Sequence, residues 1–412
     1  MDSIFSMPNP QDFDYLIVGA GLSGSVAAHL LAKKYPHRKI LVIDQRDHIG
    51  GNCYDYIETQ TGIRVNKYGA HLFHTNNERV WDFIQPFATW VRWDHRVYAN
   101  IVDDTKKQTL VNLPININTV NSICGTDITN ETEMNRWLNE NRESDGGSGD
   151  NGIENGSENG SENGETVVTR KVGRKIYQTL FHNYTYKQWD KYPRELDASV
   201  LARIPVRTNH DDRYFSDRYQ ALPLEGYTSI FEKLLALDNI TVRLETDFHR
   251  FQEFKPEHLS NLSSGDKKPV IIYTGPIDSY FAGIGLPRLE YRSINFYQEI
   301  IRNCEYYQPN SVVNYPGGEV DFTRIVEYKH FLNNPTDSRD TIIVRERSTS
   351  KGEPYYPVPN KRNREVYEDY QKRAWRLQEV YPIHFLGRLA NYKYLNMDQA
   401  ILAALDWFNQ SG

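Results

Sequence analysis

Gly19-Ala20-Gly21-Leu22-Ser23-Gly24 lies between the apolar run DYLIVGA and a stretch of helical composition. Glycines at this spacing turn a strand sharply into a helix, let backbone approach a pyrophosphate, and pack the helix closely on the strand. The helix N-terminus, with Ser23 in its first turn, then aims free N–H groups at an anion. Asp44 ends the next apolar run, where a carboxylate can accept hydrogen bonds from ribose hydroxyls. These residues predict a dinucleotide site. A second set makes a different demand. Residues 203–220, RIPVRTNHDDRYFSDRYQ, gather four arginines and three aromatic rings in a chain of formal net charge -6. No period of 2 or 3.6 organises them, so they suit the surface of a site for a ring-bearing anion better than a core.

The surrounding pattern supplies the elements. Residues 14–45 read as strand, glycine turn, helix, strand. A helix is predicted through VVTRKVGRKIYQTLFHNYTYKQW, with Val172, Ile176, Thr179 and Leu180 on one side. A helix and a strand follow in 226–251, and PVIIYTG is a short buried strand. Residues 289–347 alternate β-rich runs with turns, which predicts an antiparallel sheet. A strand, a loop and an amphipathic helix close the chain. The fold class expected is α/β: a Rossmann-like nucleotide-binding domain assembled from separated segments (12–80, 224–283, 375–412), a helical-bundle domain (115–200) and an antiparallel sheet domain (81–114, 201–223, 284–374). Residues 142–168 repeat ENGS with almost no apolar side chains and are expected to stay without secondary structure, as a loop insertion.

Composition narrows the class. The chain has 412 residues, 39% hydrophobic and 25% charged, as in globular proteins. Its mild acidity gives no reason to expect nucleic acid. No apolar run spans a bilayer, and the N-terminus does not read as a signal peptide. Cys53, Cys124 and Cys304 are few and widely spaced, which argues for a reducing, cytoplasmic setting and against a zinc site or any other metal.

Gly50, Gly51 and Asn52 follow Asp44 closely, and this second glycine pair resembles the FAD-binding superfamily that includes glutathione reductase and the amine oxidases. The block ending at Phe248 resembles the helix and strand that return to the adenine, and FLGRLANY, with Arg388, is similar to the closing flavin motif. Eight blocks in order make the resemblance specific: KYGAHLFHT, NYTYKQW, RIPVR with DDRYFSDRYQ, IIYTGPIDSYF, LEYRS, TRIVEYKHF, PYYPV and GRLANYKYL. Together they resemble the bacterial type of UDP-galactopyranose mutase over nearly the whole chain. That resemblance implies interconversion of UDP-galactopyranose and UDP-galactofuranose on reduced FAD (FADH-), with no net redox change. It implies attack of the flavin N5 on the anomeric carbon, release of UDP, an open-chain iminium, and reclosure through another hydroxyl. A homodimer, and a flavin reductant that the sequence does not identify, come with it.

Residue by residue, the resemblance implies that Arg203 on a mobile loop and Arg292 hold the diphosphate. Tyr214 and Tyr394 bond the same phosphates. Phe181 and Tyr184 surround the uracil ring, with Thr185 and Trp189 beside them. His74 lies near the flavin, His71 just before it, and Arg388 binds the flavin. Glu327 matches a carboxylate near the site. Two positions depart from the family pattern. Phe322 stands where a tyrosine is usual, and Asn396 where bacterial members carry aspartate; both are expected to shift substrate affinity. Arg207, Arg213 and Arg218 read as structural or solvated. Two alternatives remain: an oxidoreductase of the amine-oxidase type, which has no need of two diphosphate arginines, and a nucleotide-sugar binding protein that has lost catalysis.

Overall fold

The computed structural model describes residues 12–143, 163–202, 205–250, 268–282, 285–334 and 336–411. Arg203 and most of the ENGS-rich stretch lie outside the described residues.

A five-stranded parallel sheet forms from distant parts of the chain, in the order Ile240–Arg243, Ile40–Ile43, Tyr15–Val18, Val270–Tyr273, Ile383–Phe385. The strands are nearly continuous apolar runs because both faces are covered. Alternation assigns the faces. Ile17, Ile40, Val42 and Ile272 pack under the helices Leu22–Lys34, Tyr227–Leu234 and Met397–Ser411. Leu16, Leu41, Ile43, Ile271 and Tyr273 pack on the other side, against Phe248 and Tyr381. At the end of Tyr15–Val18 the chain turns at Gly19, whose φ of +109° suits glycine. A Cβ on Gly24 would lie 2.0 Å from the Gly19 carbonyl oxygen, so only glycine lets the helix come this close.

A seven-stranded sheet runs in the order Tyr356–Pro357, Tyr291–Ile301, Thr341–Thr349, Arg324–Glu327, Val312–Asn314, Val97–Val102, Gln108–Leu113. It is antiparallel at every pairing except one: Val312–Asn314 runs parallel to Val97–Val102. The helical part packs Ile117–Cys124, Glu131–Asn141 and Gly164–Tyr177 around Val120, Met134, Leu138, Val172 and Ile176. The last of these helices begins inside the stretch expected to lack structure. Asn163 caps it by accepting from the Thr166 N–H at 3.0 Å, and Val167 and Val168 are buried. The capping signal was hidden by the repeat. A π-helical turn, Gln178–His182, then leads into the short helix Asn183–Trp189 and buries Leu180 and Phe181.

Among the described residues, no helix is long and apolar enough to cross a membrane.

Candidate cofactor and substrate site

A cavity of about 460 Å³ opens at the carboxyl ends of the parallel strands. Its floor is backbone. Gly21 and Gly51 lie so close that a Cβ on Gly51 would sit 2.8 Å from the Gly21 Cα. Ser23, Gly50 and Asn52 line the same wall. Asp44 is tied to the glycine turn and to its own, accepting from the Ala20 N–H at 2.8 Å and the Arg46 N–H at 2.9 Å. Phe248 lines the cavity beside Asp44, and His71, Arg388 and Asn396 also border it. A cradle with no side chains beside the glycine turn, and a carboxylate at the next strand end, fit a dinucleotide. The described residues contain no group of three His, Cys, Asp or Glu side chains that could hold a metal ion.

His71 is kept neutral. Burial pushes its pKa down to about 4, and the Arg388 and Arg324 charges act in the same direction. Its Nδ1 lies 2.8 Å from the Gly69 carbonyl, which can only accept, so Nδ1 carries the proton and Nε2 the lone pair. Cys53, buried in the cavity wall, has its thiol pushed up to about 12 by burial and is chemically quiet at neutral pH.

An aromatic and cationic cluster adjoins the cavity. The Arg388 guanidinium lies over the rings of Tyr394 and Tyr356, which stack at 5.4 Å, and it donates to the Leu395 carbonyl at 3.1 Å. Arg324 bonds Glu346 at 2.6 Å, and its charge reaches Tyr184, Tyr356, His71 and His95. Burial drives the Tyr184 hydroxyl well above its ordinary pKa, and the Arg324 charge only partly offsets this.

Comparison with known proteins agrees with this geometry. An NAD(P)-binding Rossmann-like domain family matches residues 17–87. The UDP-galactopyranose mutase family matches residues 179–394, more than half of the chain. The chain belongs to the UDP-galactopyranose mutase family. Members of the mutase family are isomerases. A dTDP-fucopyranose mutase of Escherichia coli is 34% identical over 95% of this chain and 96% of its own. A probable UDP-galactopyranose mutase of Klebsiella pneumoniae is 34% identical over 95% and 92%. A crystal structure of reduced UDP-galactopyranose mutase superposes with a TM-score of 0.70 at 16% identity, covering 97% of this chain and 95% of that one. At that identity the likeness bears on the fold alone.

Within this mutase-family fold, the residues singled out in the sequence divide. Tyr184, Tyr214 and Tyr394 belong to the cluster around Arg324 and Arg388. Thr185, Phe181 and Trp189 are buried beside it, and the Trp189 ring meets Tyr356 edge-on at 6.4 Å. Arg292 is buried, and its Nε donates to the Gln188 carbonyl at 2.9 Å, with Asp190 3.6 Å from Nη1. Phe322 packs edge-on against Tyr315 at 4.8 Å.

Two residues lie elsewhere. His74 does not line the cavity; it stacks on Phe215 at 3.8 Å and pairs with Asp217 at 3.1 Å. Glu327 is fully buried and accepts from the Tyr307 and Gln308 N–H groups and the Thr341 hydroxyl. Alternation along the strand puts it on the opposite sheet face from Arg324. Arg207 and Arg213 both engage the 211–213 turn, and Arg218 pairs with Glu78. The residue that sequence reasoning missed is Arg324. It stands in a quoted block, but its importance comes from its register opposite Glu346, which no local pattern reveals.

Proposed function

We propose that the chain interconverts UDP-galactopyranose and UDP-galactofuranose on FAD bound in its reduced state. Gly19, Gly21, Gly50 and Gly51 would carry the pyrophosphate, with Gly24 letting the helix pack close behind them, Asp44 the ribose, and His71 and Arg388 the flavin end. Reduced FAD, when bound, supplies a nucleophilic nitrogen toward an anomeric carbon, so the chemistry needs no protein nucleophile.

The chain's own residues do the rest. Arg324 and Arg292 offer fixed guanidiniums to the diphosphate, with Arg203 as a third. Tyr184, Tyr214 and Tyr394 give hydroxyls for the phosphates and faces for the uracil and the sugar. Holding UDP in place after the sugar–oxygen bond opens keeps the leaving group available for return. His71 stays neutral and holds its proton on Nδ1, so it adds no positive charge beside the anionic flavin. The observation that carries the reading is Arg324 paired with Glu346 beside Tyr184 and Tyr356, with Arg388 over Tyr356 and Tyr394, next to a glycine-floored cavity. The same reading includes a cytosolic homodimer and a separate flavin reductant.

The test is to reduce the FAD-loaded protein with dithionite and supply UDP-galactofuranose. Chromatography should show UDP-galactopyranose. Absence of conversion with flavin bound and reduced would sink the proposal. Because the Escherichia coli relative is named for dTDP-fucopyranose, a dTDP-fucose arm establishes which sugar nucleotide turns over faster.

A further inference from the structure

The helix Asn183–Trp189 brings Tyr184 and Thr185 to the site, but its next residues are spent on something else. Lys187 folds its half-buried side chain onto the loop 315–322. Its ammonium donates to the carbonyls of Tyr315, Val320 and Phe322, the last two at 3.3 and 3.1 Å. An ammonium has three N–H bonds and no acceptor, so this nest uses its whole capacity. The loop leaves the strand Val312–Asn314 and returns as Arg324–Glu327, and its neck is tied by the Tyr315 N–H donating to the Thr323 carbonyl at 2.8 Å.

Gln188 anchors the same helix to two further strands. Its side-chain oxygen accepts from the Ser348 hydroxyl at 3.1 Å, and its carbonyl accepts from Arg292 at 2.9 Å. The helix is thus fastened at consecutive residues to the loop that leads into Arg324 and to the strands that carry Arg292 and Ser348.

We propose that Lys187 is a positioning residue for substrate binding. Its three hydrogen bonds hold the loop that carries Phe322 and leads into Arg324 at one fixed distance from the helix that carries Tyr184. The two halves of the anion site then keep their spacing whether or not ligand is bound. This rests on the diphosphate role given to Arg324 above.

The clamp has a pH limit. Burial lowers the Lys187 pKa to about 8, while the Glu319 and Asp321 carboxylates of the loop oppose the shift. Asp321 is itself paired with Arg347 at 2.9 Å on the neighbouring strand, and Tyr315 is the other titratable group of the loop. Loss of the proton removes one donor and turns a lone pair toward a carbonyl, so the clamp loosens above pH about 8.

The test uses FAD-loaded protein with Lys187→Met, which keeps the stem and removes the charge. Calorimetry with UDP should show Kd raised about tenfold, within the range for a lost charge-assisted hydrogen bond. Flavin content and absorption spectrum should match wild type. Wild-type Kd should rise above pH about 8, and the variant's should stay flat from about pH 7 to about 9.5. A variant that only melts earlier, with wild-type UDP affinity and pH profile, overturns the proposal. If Lys187→Met loses its flavin, the wild-type profile decides, and a Kd flat over that range overturns it. Wild-type protein that fails to bind UDP at neutral pH refutes the functional reading itself, a different result.

Discussion

Arg324 offers a perturbation that separates folding from binding. Its partner Glu346 is 1% exposed, and the carboxylate oxygen Oε1 has no hydrogen-bond partner among the described residues. Arg324→Met keeps much of the volume but strips the charge from a buried pair bonded at 2.6 Å. Leaving such a carboxylate unpaired costs roughly 3–5 kcal/mol. Replacing both partners with apolar side chains is often neutral, so Arg324→Met with Glu346→Met should regain most of that stability. Binding should not return with it. A lost charge-assisted contact to the diphosphate costs about 1.5–3 kcal/mol, or roughly 10- to 150-fold in Kd. Guanidinium chloride unfolding measures the first quantity and calorimetric titration with UDP the second, with flavin absorbance as the control for loading. The single variant should lose on both counts and the double variant on binding alone. A double variant that binds UDP within about twofold of wild type refutes the assignment of Arg324 to the diphosphate. A single variant as stable as wild type refutes the buried-pair argument.

Three more outcomes are expected. Phe322→Tyr restores a hydroxyl on the ring that packs against Tyr315, and one hydrogen bond of ~1 kcal/mol should lower KM about fivefold with kcat steady; an unchanged KM contradicts this. Gly24→Ala drives a methyl to 2.0 Å from the Gly19 carbonyl, so the protein should purify largely without flavin; a fully yellow variant would show that the turn yields. His71 and His95 are held neutral by burial, with pKa values of about 4 and about 3. The unfolded chain takes up protons below the ordinary histidine value that the native state refuses, so stability should fall as pH drops from about 6.5 to about 4. His95→Gln should shrink the difference between denaturant midpoints measured at neutral and mildly acid pH. An unaltered difference means that other groups dominate.

The glycine turn, its flanking strands and Asp44 were legible because each signal is local: period, turn chemistry and strand end fall within a few residues. The start of the helix Gly164–Tyr177 was not, because its cap, Asn163, belongs by composition to the repeat before it. His71 and His74 lie three residues apart in one block, yet only His71 borders the cavity, while His74 is one residue into a strand that pairs with Tyr219–Pro223. Which of the two turned inward depended on that pairing, set some 140 residues later. Arg324 and Glu327 show the same effect within one strand: three residues apart, they must face opposite ways, and only the neighbouring strand at Glu346 says which face carries charge toward the site.

The order of the parallel sheet also constrains how the protein is made. Its strands Tyr15–Val18 and Ile40–Ile43 leave the ribosome first, yet their outer neighbours Val270–Tyr273 and Ile240–Arg243 come much later and Ile383–Phe385 nearly last. Arg388 and Asn396 emerge only after that. The first-made βαβ unit therefore waits through most of synthesis with its sheet edges uncovered, and pairings of such long sequence separation form slowly. A dinucleotide cofactor cannot find a finished berth on a growing chain that has not yet made Arg388 and Asn396. A chain cut short before Ile383 would leave the Val270–Tyr273 edge of the sheet uncovered and would lack Arg388 and Asn396, a client for chaperones and a poor one for cofactor.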